Sequence, residues 1–378
     1  MKKTYAILLA LTVGVVSSLA TLYATMPPSG ELSLAEFART QEMIESYYLR
    51  DYDTEEIQYA GLKAMVAALG DPYSVYYTPG EFETFTQDSS GEYYGVGMGI
   101  SIDEVTGLTV VTHFLEDSAA KEAGIETGDL IVSIDGEDVT KKTLQEIRIM
   151  CIGEDGTRIT IGVKRGEQVL EFTMTRRSVS LDMVEFVMLQ GSRIGHMRIK
   201  QFSGNCAELF HEGMEYFKKQ GAEGIVFDLR NNPGGYLETV VNILDELLPE
   251  GTVVYTKDKR GNEETWSSSE GHTKIPMVVL VNEHSASASE IFAGAIQDYG
   301  IGEIVGTRTY GKGVVQVVLP IASTGGGLKI TASEYFTPKG RSIDGNGIYP
   351  DHYVEPAQQG DAQLEKGSEV LLTLISRR

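Results

Sequence analysis

The chain predicts an α/β core with flanking helices, preceded by an inserted β-rich unit and an N-terminal helical segment. Three observations point there. From Ser178 onward, short apolar runs alternate with stretches of helical periodicity. Between Gly91 and about Thr175, glycine turns separate short β-branched runs. Ahead of both, Leu34–Leu49 and Thr54–Leu69 repeat apolar residues at helical spacing.

In chain order, Lys2 and Lys3 precede an uncharged run from Thr4 to Met26, closed by Pro27-Pro28. The run is long enough to cross a bilayer, which takes about 20 residues. It reads as a membrane anchor, with a signal peptide cut near Ser18-Leu19-Ala20 as the rival. Either way the lysines stay inside and the rest faces outside. Two helices follow. Phe37, Met43, Ile44 and Tyr47 form the apolar face of the first, and Thr54 or Asp53 caps the second.

The β-rich unit carries a short helix at Ser118–Ala123, stopped by Gly124, and a second at Thr143–Met150. Arg158–Lys164 and Val169–Thr175 read as its last hairpin. Beyond it, Gly195–Phe202 is a strand, and Cys206–Gln220 is a helix closed by Gly221. Gly224–Leu229 is a buried strand. It runs through the turn Arg230–Gly235 into a helix over Leu237–Leu248. Met277–Asn282 and Ile304–Gly306 extend the sheet, and Val314–Pro320 and Lys329–Phe336 are further strands. Asp361–Arg378 reads as a polar helix or tail.

The chemistry gathers where Met277–Asn282 turns into a helix. Ser285, Ser287 and Ser289 alternate with alanines on that turn. Amides at a helix N-terminus lack intrahelical partners and favour negative charge. A serine there can attack a carbonyl while nearby amides hold the oxyanion. Downstream, Lys312 stands between Gly311 and Gly313, on the same strand face as Val314 and Gln316. Burial disfavours the charged form of a lysine, and a neutral lysine can deprotonate a serine. Residue types alone do not separate the three serines.

Composition narrows the function classes. With 54 acidic and 32 basic residues the net charge is −22, which argues against a nucleic-acid partner. The two cysteines, Cys151 and Cys206, are too few for a disulfide framework or a zinc site and read as buried small side chains. None of the six histidines falls in HExxH or HxxxH spacing, so a metalloprotease has no support.

Several stretches, in this order, resemble the C-terminal processing peptidases (tail-specific proteases). They are LGDPYSVYYTPGE, GVGMGISI, DSAAKEAGIETGDLIVSIDGEDV, VFDLRNNPGGYLE, SASASEIFAGAIQD with YGKGVVQ, and YFTPKGRSIDGNGIYPD. They span nearly the whole chain from about residue 35 onward. The resemblance implies a mixed-sheet core of crotonase/Clp-protease type with an inserted PDZ domain. It divides the chain into a leader or anchor (1–28), an N-terminal helical region (29–90), the PDZ domain (91–176), a Ser-Lys peptidase core (177–360) and a C-terminal helix or tail (361–378).

By that resemblance Ser287 is the nucleophile, Lys312 the general base and Gln316 the residue that orients it. The amides of Gly235 and Ala288 form the oxyanion hole. Val96-Gly97-Met98 is the loop that takes a peptide carboxylate while a β-edge accepts the peptide as an added strand. The family carries a basic residue near the loop that here reads Cys151-Ile152-Gly153, and Arg148 is the nearby substitute. The implied function is an extracytoplasmic serine endopeptidase, with no metal or cofactor. Its substrates are proteins or peptides with exposed C-terminal tails. A regulatory protein at the PDZ domain and a homodimer through the N-terminal helices belong to the same expectation. One rival is a non-catalytic PDZ adaptor on an inactive or partner-dependent protease core. Another is a Ser-His-Asp hydrolase using His284 or His211, although no GxSxG elbow is present.

Overall fold

The computed structural model describes residues 34–90, 92–115, 117–180, 182–271 and 273–377; the expected leader lies outside them. The chain divides into two units, one ending at Gly61 and one running from Leu62 onward. In the first, α1 (Leu34–Tyr47) exposes Phe37, Met43 and Tyr47. Helix α2 (Thr54–Ala67) begins in this unit, and Asp53 caps it by accepting from the amides of Glu55 and Glu56. No helix among the described residues is long and apolar enough to cross a membrane.

The second unit continues with β1 (Val75–Tyr77) and α3 (Pro79–Ser90). Then β2 (Glu92–Gly95) leads into the β-rich insertion. That insertion contains β3 (Met98–Ile102), β4 (Thr109–Phe114), α4 (Ala119–Ala123), β5 (Leu130–Ile134), β6 (Glu137–Asp138), α5 (Leu144–Cys151), β7 (Arg158–Arg165) and β8 (Gln168–Thr175). Its strands form one antiparallel sheet in the order β3-β4-β5-β7-β8. Both helices start as their sequences dictate. Ser118 accepts from the Lys121 amide, and Thr143 and Glu146 form a reciprocal capping box. The strand β9 (Arg177–Ser180) pairs with β2, so a two-stranded ribbon carries the chain in and out of the insertion.

The core sheet is built from β10 (Val184–Met188), β11 (Ile194–Ile199), β12 (Gly224–Asp228), β15 (Met277–Val281), β16 (Gly302–Gly306) and β19 (His352–Tyr353), in that spatial order. The first pair is antiparallel and the rest are parallel. Side chains alternate between faces. Ile225, Phe227 and Val279 pack on one side with α6 (Cys206–Gln220), α7 (Leu237–Leu247) and α8 (Ala288–Tyr299). Val226, Val278 and Leu280 pack on the other with Val370 and Leu371 of α9 (Ala362–Ser376). Of the expected polar helix or tail, the helix is what forms, and its apolar face covers the sheet. Cys151 and Cys206 are buried free thiols, and burial pushes both up to about 12.

A second, antiparallel sheet stands beside the first in the order β1-β18-β13-β14. It uses β13 (Gly251–Asp258), β14 (Glu263–Ser268) and the long β18 (Gly326–Phe336), which also pairs with β17 (Val314–Ile321). Sequence periodicity does not predict the β13–β14 hairpin, because its outer strand is mostly polar and exposed.

Candidate active site

Strand β15 ends at Val281, and a tight turn brings the chain into α8 at Ser287. Ser287 has φ +56° and ψ −114°, left-handed backbone that a non-glycine residue adopts only under constraint. Holding it costs about 1–3 kcal/mol. The constraint is visible. The buried carboxylate of Glu290 accepts from the Ser287 amide at 2.8 Å, and the Tyr335 hydroxyl donates to the Ser287 carbonyl at 3.1 Å.

The three serines have different surroundings. Ser285 is fully buried and donates to the Leu229 carbonyl at 2.8 Å. Ser289 is fully buried and donates to the Asn232 carbonyl at 2.9 Å. Ser287 lines a cleft of about 540 Å³, and its hydroxyl donates to no group among the described residues. Lys312 lines the same cleft.

Lys312 sits in an extended loop just before β17, with its Nζ 4.7 Å from the Tyr73 ring centroid. Its pKa lies below the ordinary lysine value. Burial is the main cause, and the charge of Lys329 acts in the same direction, while Asp71 and Glu290 oppose it. The loop is anchored by Glu290, which accepts from the amides of Gly311 and Lys312 and from the Thr309 hydroxyl. The same Tyr335 hydroxyl, with its single proton, also lies against the Lys312 carbonyl. Gln316 lines the cleft, but a bulge between Val315 and Gln316 shifts its register, and its amide donates to Thr331 Oγ1 at 3.2 Å.

The turn after β12 meets the serine turn from the other side. A Cβ at Gly234 would lie 2.8 Å from the Ser287 Cβ and 3.0 Å from the Ala288 nitrogen. Gly235 forms an isolated bridge with Phe202 through the Gly234 carbonyl and Tyr236 amide, which leaves its own N–H turned away from Phe202. Among the described residues the amides of Gly235 and Ala288 have no protein acceptor. Asn232 holds the turn: it is fully buried and bonds the Ile199 carbonyl and the Gly234 amide.

Residue types do not single out Glu290 or Tyr335. The signal that could find Glu290 is its Ser-x-x-Glu spacing from Ser287, a capping-box pattern. Tyr335 carries no local signal. His284 and His211 both lie outside the cleft, with exposed side chains.

In the insertion, Val96, Gly97 and Met98 line a separate groove of about 360 Å³ between β3 and α5, together with His113, Leu144 and Arg148. Gly97 has φ +71°, and a Cβ there would lie 2.9 Å from the Ser118 Cα. Arg176 is a further basic residue against the Cys151-Ile152-Gly153 loop, donating to the carbonyls of Met150 and Cys151.

Comparison with known proteins agrees with this architecture. Residues 193–354 match the model of peptidase family S41, and residues 110–165 match a PDZ domain model. A carboxyl-terminal-processing protease of Synechocystis is 35% identical over 332 residues, covering 86% of this chain and 78% of the relative. The chain belongs to peptidase family S41. A probable CtpA-like serine protease of Staphylococcus haemolyticus is 31% identical to this S41 peptidase over 359 residues, covering 94% of the chain and 71% of the relative. Among solved structures, a photosystem II D1 C-terminal processing protease superposes with a TM-score of 0.52 at 29% identity, covering 87% of this chain and 90% of that one. A putative S41 protease from Bacteroides fragilis, at 16% identity and TM-score 0.54, shares the fold. The chain is therefore a PDZ-containing serine protease of the carboxyl-terminal-processing class.

Proposed function

We propose that this S41 peptidase cleaves its substrates with Ser287 as nucleophile and neutral Lys312 as general base. The observation that carries the reading is the contrast among the serines. The hydroxyls of Ser285 and Ser289 are committed to backbone carbonyls, and Ser287 shares its cleft with a lysine of lowered pKa. Lys312 takes the hydroxyl proton, and the Ser287 oxygen adds to the scissile carbonyl. The unpaired amides of Gly235 and Ala288 receive the oxyanion, contributing about 3 kcal/mol for each donor. Lys312 then passes the proton to the leaving amine, and water hydrolyses the acyl-enzyme. In this reading Gln316, held by its hydrogen bond to Thr331, orients Lys312 from the wall of the cleft they share.

The PDZ groove binds a C-terminal tail. Its support is the Val96–Met98 turn at the end of a groove flanked by the β3 edge and α5. The enzyme acts outside the cytoplasm, a reading that rests on the charged and apolar pattern of residues 1–28. The exposed Phe37, Met43 and Tyr47 support a homodimer through α1.

Casein cleavage by wild type, Ser287→Ala and Lys312→Ala, each with and without a peptide ending in a free hydrophobic carboxylate, tests these roles. Both variants should lose turnover while remaining folded by circular dichroism. Wild-type rates in either would reject its assigned role, and indifference to the added peptide would reject tail binding in the PDZ groove.

A further inference from the structure

A second lysine faces the catalytic cleft, and the mechanism above does not need it. Lys329 lies in the middle of β18, paired with Val75 of β1 on one side and Val318 of β17 on the other. Its Nζ sits 5.8 Å from the Tyr77 ring centroid and 5.3 Å from that of Phe85. Lys329 and Phe85 both line the cleft that holds Ser287. Among the described residues no carboxylate lies within 4 Å of this ammonium. Two ring faces hold a cation in place without neutralising it. A half-buried cation without a counter-ion leaves much of its possible interaction energy unused.

Glu238 and Glu264 also line the cleft, so it presents carboxylates as well as two lysines to a substrate.

The direction of travel follows from the chemistry, and here the inference rests on the Ser287–Lys312 reading. Lys312 hands its proton to the leaving amine, so the residues beyond the scissile bond emerge on its side. Lys312 sits over Tyr73 and Lys329 over Tyr77, two rings of one short segment. Tyr73 lies in the turn before β1 and Tyr77 ends that strand, and four residues of chain span at most about 13 Å when extended, so a substrate bridges the two lysines within about four residues.

We propose that Lys329 is a specificity residue that binds a substrate carboxylate three or four residues beyond the scissile bond. The carboxylate is either an Asp or Glu side chain or the terminal carboxylate of a short tail. Both present the same anion to the same ammonium, with Tyr77 and Phe85 fixing its position.

The test uses the full chain and an internally quenched peptide built on the casein site that wild type cuts best. In one arm the third or fourth residue after the bond is Asp, Asn or Lys, with an amidated terminus so that the PDZ groove is not engaged. In the other arm the peptide ends at that residue as free acid or amide. Wild type should favour Asp over Asn about tenfold in kcat/KM, chiefly through KM. Lys329→Met should abolish the preference, Lys329→Arg should retain it, and Lys329→Glu should reverse it towards Lys at that position. Each preference is a ratio within one enzyme, so a changed Lys312 cancels. A free-acid preference that survives Lys329→Met assigns that arm to the PDZ groove. Equal Asp and Asn rates in wild type, or a preference unchanged in Lys329→Met, would overturn the proposal. With Ser287→Ala inactive, that result removes the Lys329 assignment alone. Cleavage persisting in Ser287→Ala would remove both readings.

Discussion

Glu290 accepts a hydrogen bond from the Ser287 amide at 2.8 Å and one from the Lys312 amide at 2.9 Å, both on the same carboxylate oxygen. Its other oxygen takes the Gly311 amide and the Thr309 hydroxyl. One fully buried side chain thereby joins two loops that are distant in sequence.

All four partners donate, so the ionised form is the one that fits, although burial pushes this carboxyl above its usual range. Glu290→Ala should strand four buried donors. At about 1–3 kcal/mol for each, relieved in part by relaxation, the loss should take several kcal/mol from stability. Urea unfolding of the variant beside wild type measures it. An unchanged midpoint would mean that water replaces the carboxylate without cost.

The acid limb of the rate profile should report Lys312. Its pKa is lowered by burial and by Lys329, and the proposed mechanism requires the neutral form, so kcat/KM should rise through a pKa below the ordinary lysine value. Asp71 opposes this shift. Asp71→Asn removes a negative charge that favours protonated Lys312, so the limb should move to lower pH. A limb that moves to higher pH, or not at all, would mean that Lys312 does not set it.

Gly234 packs directly on Ser287. Gly234→Ala would bring a Cβ within 2.7 Å of the Ala286 carbonyl oxygen and 2.8 Å of the Ser287 Cβ, at φ +105°. The turn and the serine elbow must then separate, which misplaces the Gly235 and Ala288 amides. Turnover should fall at least 100-fold, read as kcat with KM little changed. Wild-type kcat would show that the oxyanion donors lie elsewhere.

Asp228, at the end of β12, anchors the start of the turn that leads to Gly235. Burial alone would raise its pKa, but Arg230 and His196 hold it well below the usual carboxylate range. Arg230 also bonds Asp361 at the start of α9. The folded pKa is depressed, so the stabilisation is complete above the unfolded value and is lost as pH falls through the folded one. Asp228→Asn should cost about 3–5 kcal/mol near pH 7. The gap from wild type should stay level down to about pH 5 and narrow below pH 4. Denaturant midpoints at pH 7, 5 and 3 test the sign.

Local pattern carried much of the fold. The strand–turn–helix units at Gly224–Leu247 and Met277–Tyr299 follow from apolar runs, glycine turns and helical spacing, all of which lie within a few residues of one another. The PDZ helices declare their own caps at Ser118 and Thr143. The hairpin of β13 and β14 escaped, because β14 is polar and exposed and β13 is held by pairing with β18, far along the chain.

By itself the sequence determined that a serine-bearing turn and a glycine-flanked lysine exist, and that they belong to one class of peptidase. Only the tertiary structure separated the serines, because the carbonyls that occupy Ser285 and Ser289 come from the Leu229–Asn232 turn. It also decided that Tyr73 lies against Lys312 and that Lys329 faces the same cleft. Periodicity is a property of neighbours in the chain, whereas burial, hydrogen-bond commitment and charge proximity depend on which distant segments the fold brings together.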